Sequence, residues 1–257
     1  MILLDGQSLS QKILNDLKKS DLKKLSLHVV LVGDNPSSVK YVSLKENKCR
    51  EIGINYQLHH LPDTASETEI LSLINTLNQD PKVTGYFVQL PLPKNLDKTK
   101  ILNSINLQKD IDGLNPSSGV IPAVVVGIVK LLENYQIGFI GKNIVIINDT
   151  DLIGQPLKKI LESKGGIVTI CNDQTSNLQL VTQDADILIS ATGVNNLITA
   201  DFVKDGAVVV DVANGDVDFT EVSPKCSYIT PTFGGIGPMT VACLLYNLVN
   251  SHASPTF

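Results

Sequence analysis

The sequence predicts an α/β protein of two α/β domains with a cleft between them. Apolar runs rich in β-branched residues alternate with segments of helical periodicity along most of the chain, and such alternation predicts parallel βαβ units. The alternation falls into two series, separated by a helix-compatible span at 121–135, IPAVVVGIVKLLENY. At 257 residues and 43% hydrophobic, the chain holds enough apolar material to bury two modest cores.

The first series opens with a strand at 25–33 (LSLHVVLVG) and a helix at 41–53 (YVSLKENKCREIG). A strand at 54–61 (INYQLHHL), a helix at 67–78 (ETEILSLINTLN) and a strand at 84–93 (TGYFVQLPLP) complete it. The prolines of the last strand forbid regular continuation. In the connecting span, Pro122 stands near a helix start and Gly138 beyond its end. The second series runs NIVIIN, a helix after Gly154, GIVTICN, ADILISATG and GAVVVDVA. The closing stretch PMTVACLLYNLVN places Pro238 in a first helical turn, and its apolar periodicity predicts a helix that returns to the first domain. The expected division is therefore 1–118 plus 238–257 for one domain, and 119–237 for the other.

A formal net charge of -5 and a pI near 5.3 exclude a general nucleic-acid binder, which needs a basic surface. Lys18, Lys19, Lys23 and Lys24 read as a solvated helix face. The stretch MILLDGQSLSQKIL breaks its apolar run at Asp5 and has no basic n-region, so neither a secretory signal nor a membrane span is expected. A cytoplasmic location follows from that reading. Cys49, Cys171, Cys226 and Cys243 are scattered without metal-ligand spacing, so no metal is expected.

The stretch at 144–161, IVIINDTDLIGQPLKKIL, is a strand, a polar turn and a helix start, the arrangement that commonly receives a nucleotide phosphate. Its turn nevertheless carries Asp149 and Asp151, with no Lys or Arg. About twenty residues beyond Gly154, Asp173 stands where a dinucleotide-binding fold places the acid that accepts from a ribose 2′-hydroxyl. Asp149 and Asp173 favour NAD over NADP; alternatively they are solvated turn residues, with Asp149 or Asp151 helping to cap the helix.

Four further places can carry chemistry. Tyr41 and Lys45, four apart, share a helix face, where a ring could stack on a flat ligand beside an ammonium, or where both simply belong to an amphipathic surface. Gln89 sits at the carboxyl end of a strand, where open parallel sheets bind ligands, or it satisfies backbone groups there. In KDIDGLNP, a calcium loop would need Gly at the sixth position from Asp110 and Glu at the twelfth; Asn115 and Ile121 stand there instead. Asp112 is then an acceptor for heterocycle N–H groups, or part of a turn with Gly113. In PTFGGIGPMT, Gly234 and Gly235 precede Pro238 and permit close backbone approach to a ligand, or form an interdomain turn.

Together and in this order, VGDNPSSVKYVSLKENKCREIGI, VQLPLP, KDIDGLNP, IGQP and PTFGGIGPMT resemble the bifunctional methylenetetrahydrofolate dehydrogenase/methenyltetrahydrofolate cyclohydrolase family, often called FolD. The resemblance implies a folate-binding catalytic domain, a Rossmann-like NAD(P)-binding domain, a folate cleft between them and a homodimer. It implies that Lys45 is the catalytic lysine, Tyr41 the ring stacked on folate, Gln89 the support of the lysine and Asp112 the carboxylate that holds the pterin. Gly234, Gly235 and Pro238 would line the substrate, and Asn148, Asp149, Thr150, Asp173 and Asn214 the cofactor. The nucleotide half departs from the family pattern. The usual Gly-Arg-Ser-like turn is Asn148-Asp149-Thr150, the Pro-Cys-Thr-Pro run is Pro122-Ala123-Val124-Val125, and Gly-Ile-Asn is Ala213-Asn214-Gly215. The expected activities are oxidation of 5,10-methylenetetrahydrofolate and hydrolysis of the methenyl product to 10-formyltetrahydrofolate. A cyclohydrolase with a purely structural nucleotide domain is the alternative.

Overall fold

The computed structural model describes residues 1–251. Its elements in chain order are β1 (Ile2–Leu3), α1 (Gly6–Leu17), β2 (Ser26–Val32), α2 (Pro36–Ile52), β3 (Asn55–Leu61) and α3 (Glu67–Gln79). Next come β4 (Gly85–Val88), α4 (Lys98–Asn103), α5 (Ala123–Asn134), β5 (Asn143–Ile147), α6 (Gly154–Ser163) and β6 (Ile167–Cys171). The chain closes with α7 (Leu178–Thr182), β7 (Ile187–Ser190), β8 (Val208–Asp211), α8 (Phe219–Val222), β9 (Tyr228–Ile229) and α9 (Ile236–Asn250). The strand pairs are parallel, as the alternation predicts. Contacts divide the chain into one unit of residues 12–123 with the described residues from 241 on, and another of 1–11 with 124–240.

The unit of residues 12–123 holds a three-stranded sheet in the order β3-β2-β4. The chain leaves β2 to one side for β3 and returns to the other side for β4, so the order reverses beside the carboxyl end of β2, where such sheets bind ligands. The outer edge of β4 is covered by the segment after α4: the Tyr86 N–H donates to the Lys109 carbonyl at 2.9 Å. Helix α2 begins at Pro36, ahead of the Tyr41 expected, because the Asn35 side chain accepts from the Ser37 and Ser38 amides and Pro36 fits the first turn. Its buried stripe is Ser38, Val42, Lys45, Cys49 and Ile52. This spacing of three and four is one helix face, so a lysine occupies a core position. The last helix is tied to this unit: Asn247 Nδ2 donates to the Ile111 and Ile121 carbonyls, each at 3.0 Å. Positions 252–257 of the expected range lie outside the described residues.

The other unit holds a six-stranded sheet in the order β1-β9-β8-β7-β5-β6. The chain passes from β5 to β6 on one side and crosses back to β7 on the other, the switch point of a Rossmann-like doubly wound sheet. One face packs Val145, Ile147, Leu188 and Val209 against Ile198, Val203 and Val222. Ile144, Ile146, Ile189 and Val210, alternating with them along the strands, are buried too. Strands covered on both faces become continuous apolar runs, which is how these read in sequence.

The N-terminus corrects the expected division. Residues 1–11 belong with the six-stranded sheet rather than with the first domain, because β1 pairs with β9, Ile2 opposite Tyr228 and Leu3 opposite Ile229. The boundary in mid-chain also falls after Ala123 instead of 118. A two-residue strand has no period to read. Gly6 supports the same placement: a Cβ there would lie 1.9 Å from the Gly235 carbonyl oxygen, and the Gln7 N–H donates to the Gly234 carbonyl at 2.8 Å. The start of α1 is thus seated on the glycine-rich stretch that precedes α9. Among the described residues no helix is long and apolar enough to cross a membrane.

Candidate active site

Lys45 is the centre of the first unit's polar chemistry. It is 6% exposed, its Nζ donates to Gln89 Oε1 at 3.1 Å, and the same Nζ lies 3.9 Å from the centroid of the Phe87 ring. Gln89 is in turn oriented by donating through Nε2 to the Leu90 carbonyl at 2.7 Å, while its own N–H continues the sheet to Val30. Burial pushes the Lys45 ammonium below the usual lysine range, and the Asp112 carboxylate opposes that shift. Tyr41 lies one turn before Lys45 on α2 and is 37% exposed, so its ring is free to receive a planar ligand. The structure therefore gathers Lys45, Gln89 and Asp112, with Tyr41 adjoining on the same helix.

The two carboxylates of the DIDG stretch have separate tasks. Asp110 is buried; its Oδ1 accepts from the Asp112 and Leu114 amides at 3.2 Å each, and its Oδ2 from the Asn115 amide at 2.8 Å. It shapes the loop. Asp112 instead accepts only a long bond, 3.3 Å, from the Ala123 N–H at the start of α5. That donor favours the charged form, as does Lys45, yet burial outweighs both, and Asp110 adds repulsion; the Asp112 carboxyl is pushed up to about 6. A carboxylate under-supplied with donors is suited to accept N–H bonds from a ligand.

In the second unit the polar turn after β5 is organised by Asn148. Its Oδ1 accepts from the Thr150 N–H (3.0 Å), the Thr150 hydroxyl (2.7 Å) and the Gly154 N–H (3.1 Å), and its Nδ2 donates to the Ala191 carbonyl at 2.8 Å. This amide holds the turn, so its side chain is spent on the loop. The first-turn donors of α6 are committed as well: Gln155 N–H to the Thr150 carbonyl and Leu157 N–H to Ile153, while Pro156 has none. A Cβ on Gly154 would meet the Asn148 carbonyl oxygen at 1.9 Å, so only glycine lets helix and turn approach this closely. Asp149 does not cap the helix; its Oδ2 accepts from Asn172 Nδ2 at 2.9 Å, at the end of β6. Asp173, next in the chain, is exposed.

Two buried carboxylates at the ends of β7 and β8 escaped sequence reasoning. Asp216 accepts from the Ser190 hydroxyl and from the Thr192 and Gly193 amides. Asp211 accepts from the Asn214, Gly215 and Val217 amides. Asn214 adopts a left-handed backbone, φ 62°. Gly234, Gly235 and Pro238 belong to this same unit, and Pro238 stands in the first turn of α9.

Comparison with known proteins fits this geometry. The model of the tetrahydrofolate dehydrogenase/cyclohydrolase catalytic domain matches residues 4–112, and that of the family's NAD(P)-binding domain matches 122–255. The chain belongs to the tetrahydrofolate dehydrogenase/cyclohydrolase family. It is 45% identical to the bifunctional protein FolD of Campylobacter jejuni, with 98% of each chain covered. A crystal structure of the bifunctional FolD enzyme from Campylobacter jejuni superposes with a TM-score of 0.92 at 44% identity, again over 98% of both chains. The dehydrogenase-cyclohydrolase of Trypanosoma brucei, solved with NADP and an inhibitor, gives 0.92 at 25% identity, over 97% of this chain and 96% of that one. As a member of this family the chain is an enzyme with both dehydrogenase and cyclohydrolase activities, acting on tetrahydrofolate substrates with NAD(P). Matches to both domain models do not favour the reading of a cyclohydrolase with a merely structural second domain.

The raised Asp112 carboxyl makes a stability prediction. A carboxyl whose folded-state value exceeds its ordinary 3.8 favours the folded state at low pH, and that contribution is lost as pH rises through about 6. Asp112→Asn should therefore gain stability relative to the parent as pH increases between those values. Urea midpoints across that window check this; a constant difference between the two proteins contradicts it.

Proposed function

We propose that Lys45 handles the proton in the hydrolysis of 5,10-methenyltetrahydrofolate, with Gln89 orienting it, Asp112 holding the pterin ring and Tyr41 stacking on the folate. The carrying observation is the buried ammonium of Lys45, bonded to Gln89 and within electrostatic reach of Asp112. Water adds to the methenyl carbon and the neutral amine takes one of its protons; the bond from that carbon to N5 then breaks as the carbonyl forms, the remaining hydroxyl proton ending on N5, which gives 10-formyltetrahydrofolate. An amine pushed below the usual range by burial, beside a cationic substrate, is neutral closer to physiological pH and so is a competent base. In the preceding oxidation these same residues align the methylene carbon, since orientation is the main demand of hydride transfer.

For the cofactor, the residues of the second unit fit a dinucleotide: a switch-point crevice, a turn brought against its helix by Gly154, and acceptors at the end of β6. Bound there, the nicotinamide supplies a hydride acceptor. Asp149, Asp173 and Asn214 are the proposed contacts; Asn148 and Thr150 shape the turn beneath it. The preference is for NAD over NADP. Its support is the bond that holds Asp149 to Asn172 next to the exposed Asp173, which concentrates negative charge where a 2′-phosphate would lie. Two unit charges about 4 Å apart repel by roughly 4 kcal/mol at an effective dielectric of 20, and about 1.4 kcal/mol suffices for a tenfold effect. Gly234, Gly235 and Pro238 are proposed substrate contacts. A homodimer follows from the family resemblance, and a cytoplasmic location is supported by four buried cysteines, none of them in a disulfide.

Lys45→Met should lose cyclohydrolase activity by at least about a hundredfold, the scale of a removed general base; hydrolysis of methenyltetrahydrofolate at the parental rate refutes the assignment. Oxidation of methylenetetrahydrofolate with each nicotinamide should give a kcat/KM at least about tenfold higher for NAD. Equal values, or a preference for NADP, overturn the cofactor reading.

A further inference from the structure

Two residues of one strand face meet the same ammonium. Gln89 offers its carbonyl oxygen and Phe87, two residues before it, the face of its ring, 3.9 Å from Lys45 Nζ to the centroid. Phe87 is 1% exposed and Lys45 6%, so water does not compete for the contact, and cation–π attraction is strongest under such desolvation. An aliphatic side chain would fill the apolar space under Lys45 equally well but would offer no negative ring face to a cation. We propose that Phe87 is a positioning residue of the cyclohydrolase reaction: its ring face fixes the Lys45 amino group beside Gln89 and favours its protonated form. This rests on Lys45 being the proton-handling group. Once the amine has taken a proton from water, the ring face stabilises the resulting ammonium until the proton is passed on.

The groups around the ammonium act in known directions. Burial opposes its charge, and Asp112, from the loop along β4, favours it. The Cys49 thiol, one turn on along α2, is pushed up by burial to about 12, with Glu46 raising it further, and stays neutral. Tyr56, with its own hydroxyl raised by burial, stays neutral as well. Removing the ring's negative face should thus make Lys45 easier to deprotonate while leaving these neighbours unchanged.

The test compares the parent, Phe87→Leu, Lys45→Met and a variant carrying a ring-fluorinated phenylalanine at position 87 alone, which keeps the shape and weakens the quadrupole. The pH dependence of cyclohydrolase kcat/KM is measured for each. With fluorination, the limb on which activity rises with pH should move to lower pH by roughly 0.5–1.5 units, and Phe87→Leu should move it the same way. A limb unmoved by fluorination, with Lys45→Met inactive, overturns the role of Phe87 alone. Full hydrolysis by Lys45→Met overturns the reading beneath it. Should Phe87→Leu fail to fold, the isosteric fluorinated variant decides.

Discussion

Burying an ammonium group is costly unless its lost water is replaced, and that constraint organises the catalytic half of this enzyme. Lys45 occupies a position on α2 that its neighbours in the stripe, Val42, Cys49 and Ile52, use for packing. Compensation comes from three separate places: a carbonyl oxygen at the end of β4, an aromatic face in β4, and a carboxylate from the loop laid along that strand's outer edge. Each depends on the parallel sheet register that sets Gln89 beside Val30. The compensation is incomplete, so burial still holds the amine below the usual lysine range.

The second unit solves a related problem with the opposite charge. Asp211 and Asp216 are buried, and each accepts from three donors, from the adjacent loops and, for Asp216, also from Ser190 at the end of β7. Such carboxylates fix backbone, so they are structural anchors at the carboxyl ends of β7 and β8. Asn148 does the same after β5 without a charge. Asp149 and Asp173, by contrast, are exposed to solvent. The same contrast between saturated and available oxygens separates Asp110 from Asp112 in the first unit.

Much of this was legible in the chain. Strand and helix alternation gave the two parallel sheets, because buried parallel strands need continuous apolar runs and their crossovers need helical periodicity. The order of motifs pointed to Lys45, Gln89 and Asp112, which the fold brings together. Other features leave no local trace. The pairing of Ile2 and Leu3 with β9 joins the two ends of the sequence, and no periodicity in a two-residue strand announces it. Which aspartate of DIDG is spent on backbone amides depends on loop geometry that composition does not encode. The position of Phe87 under the ammonium is invisible until β4 and α2 are packed. One signal was available and unused: Asn35-Pro36, a cap followed by a first-turn proline, marks the start of α2.

The central claim is that Lys45 is a perturbed amine, buried and only partly compensated. Its ionisation can be followed directly by NMR, through the side-chain signals of isotopically labelled lysine, with Lys45→Met assigning the resonance. The account predicts that Lys45 titrates below the usual lysine range. Titration of Lys45 together with the exposed lysines would contradict it.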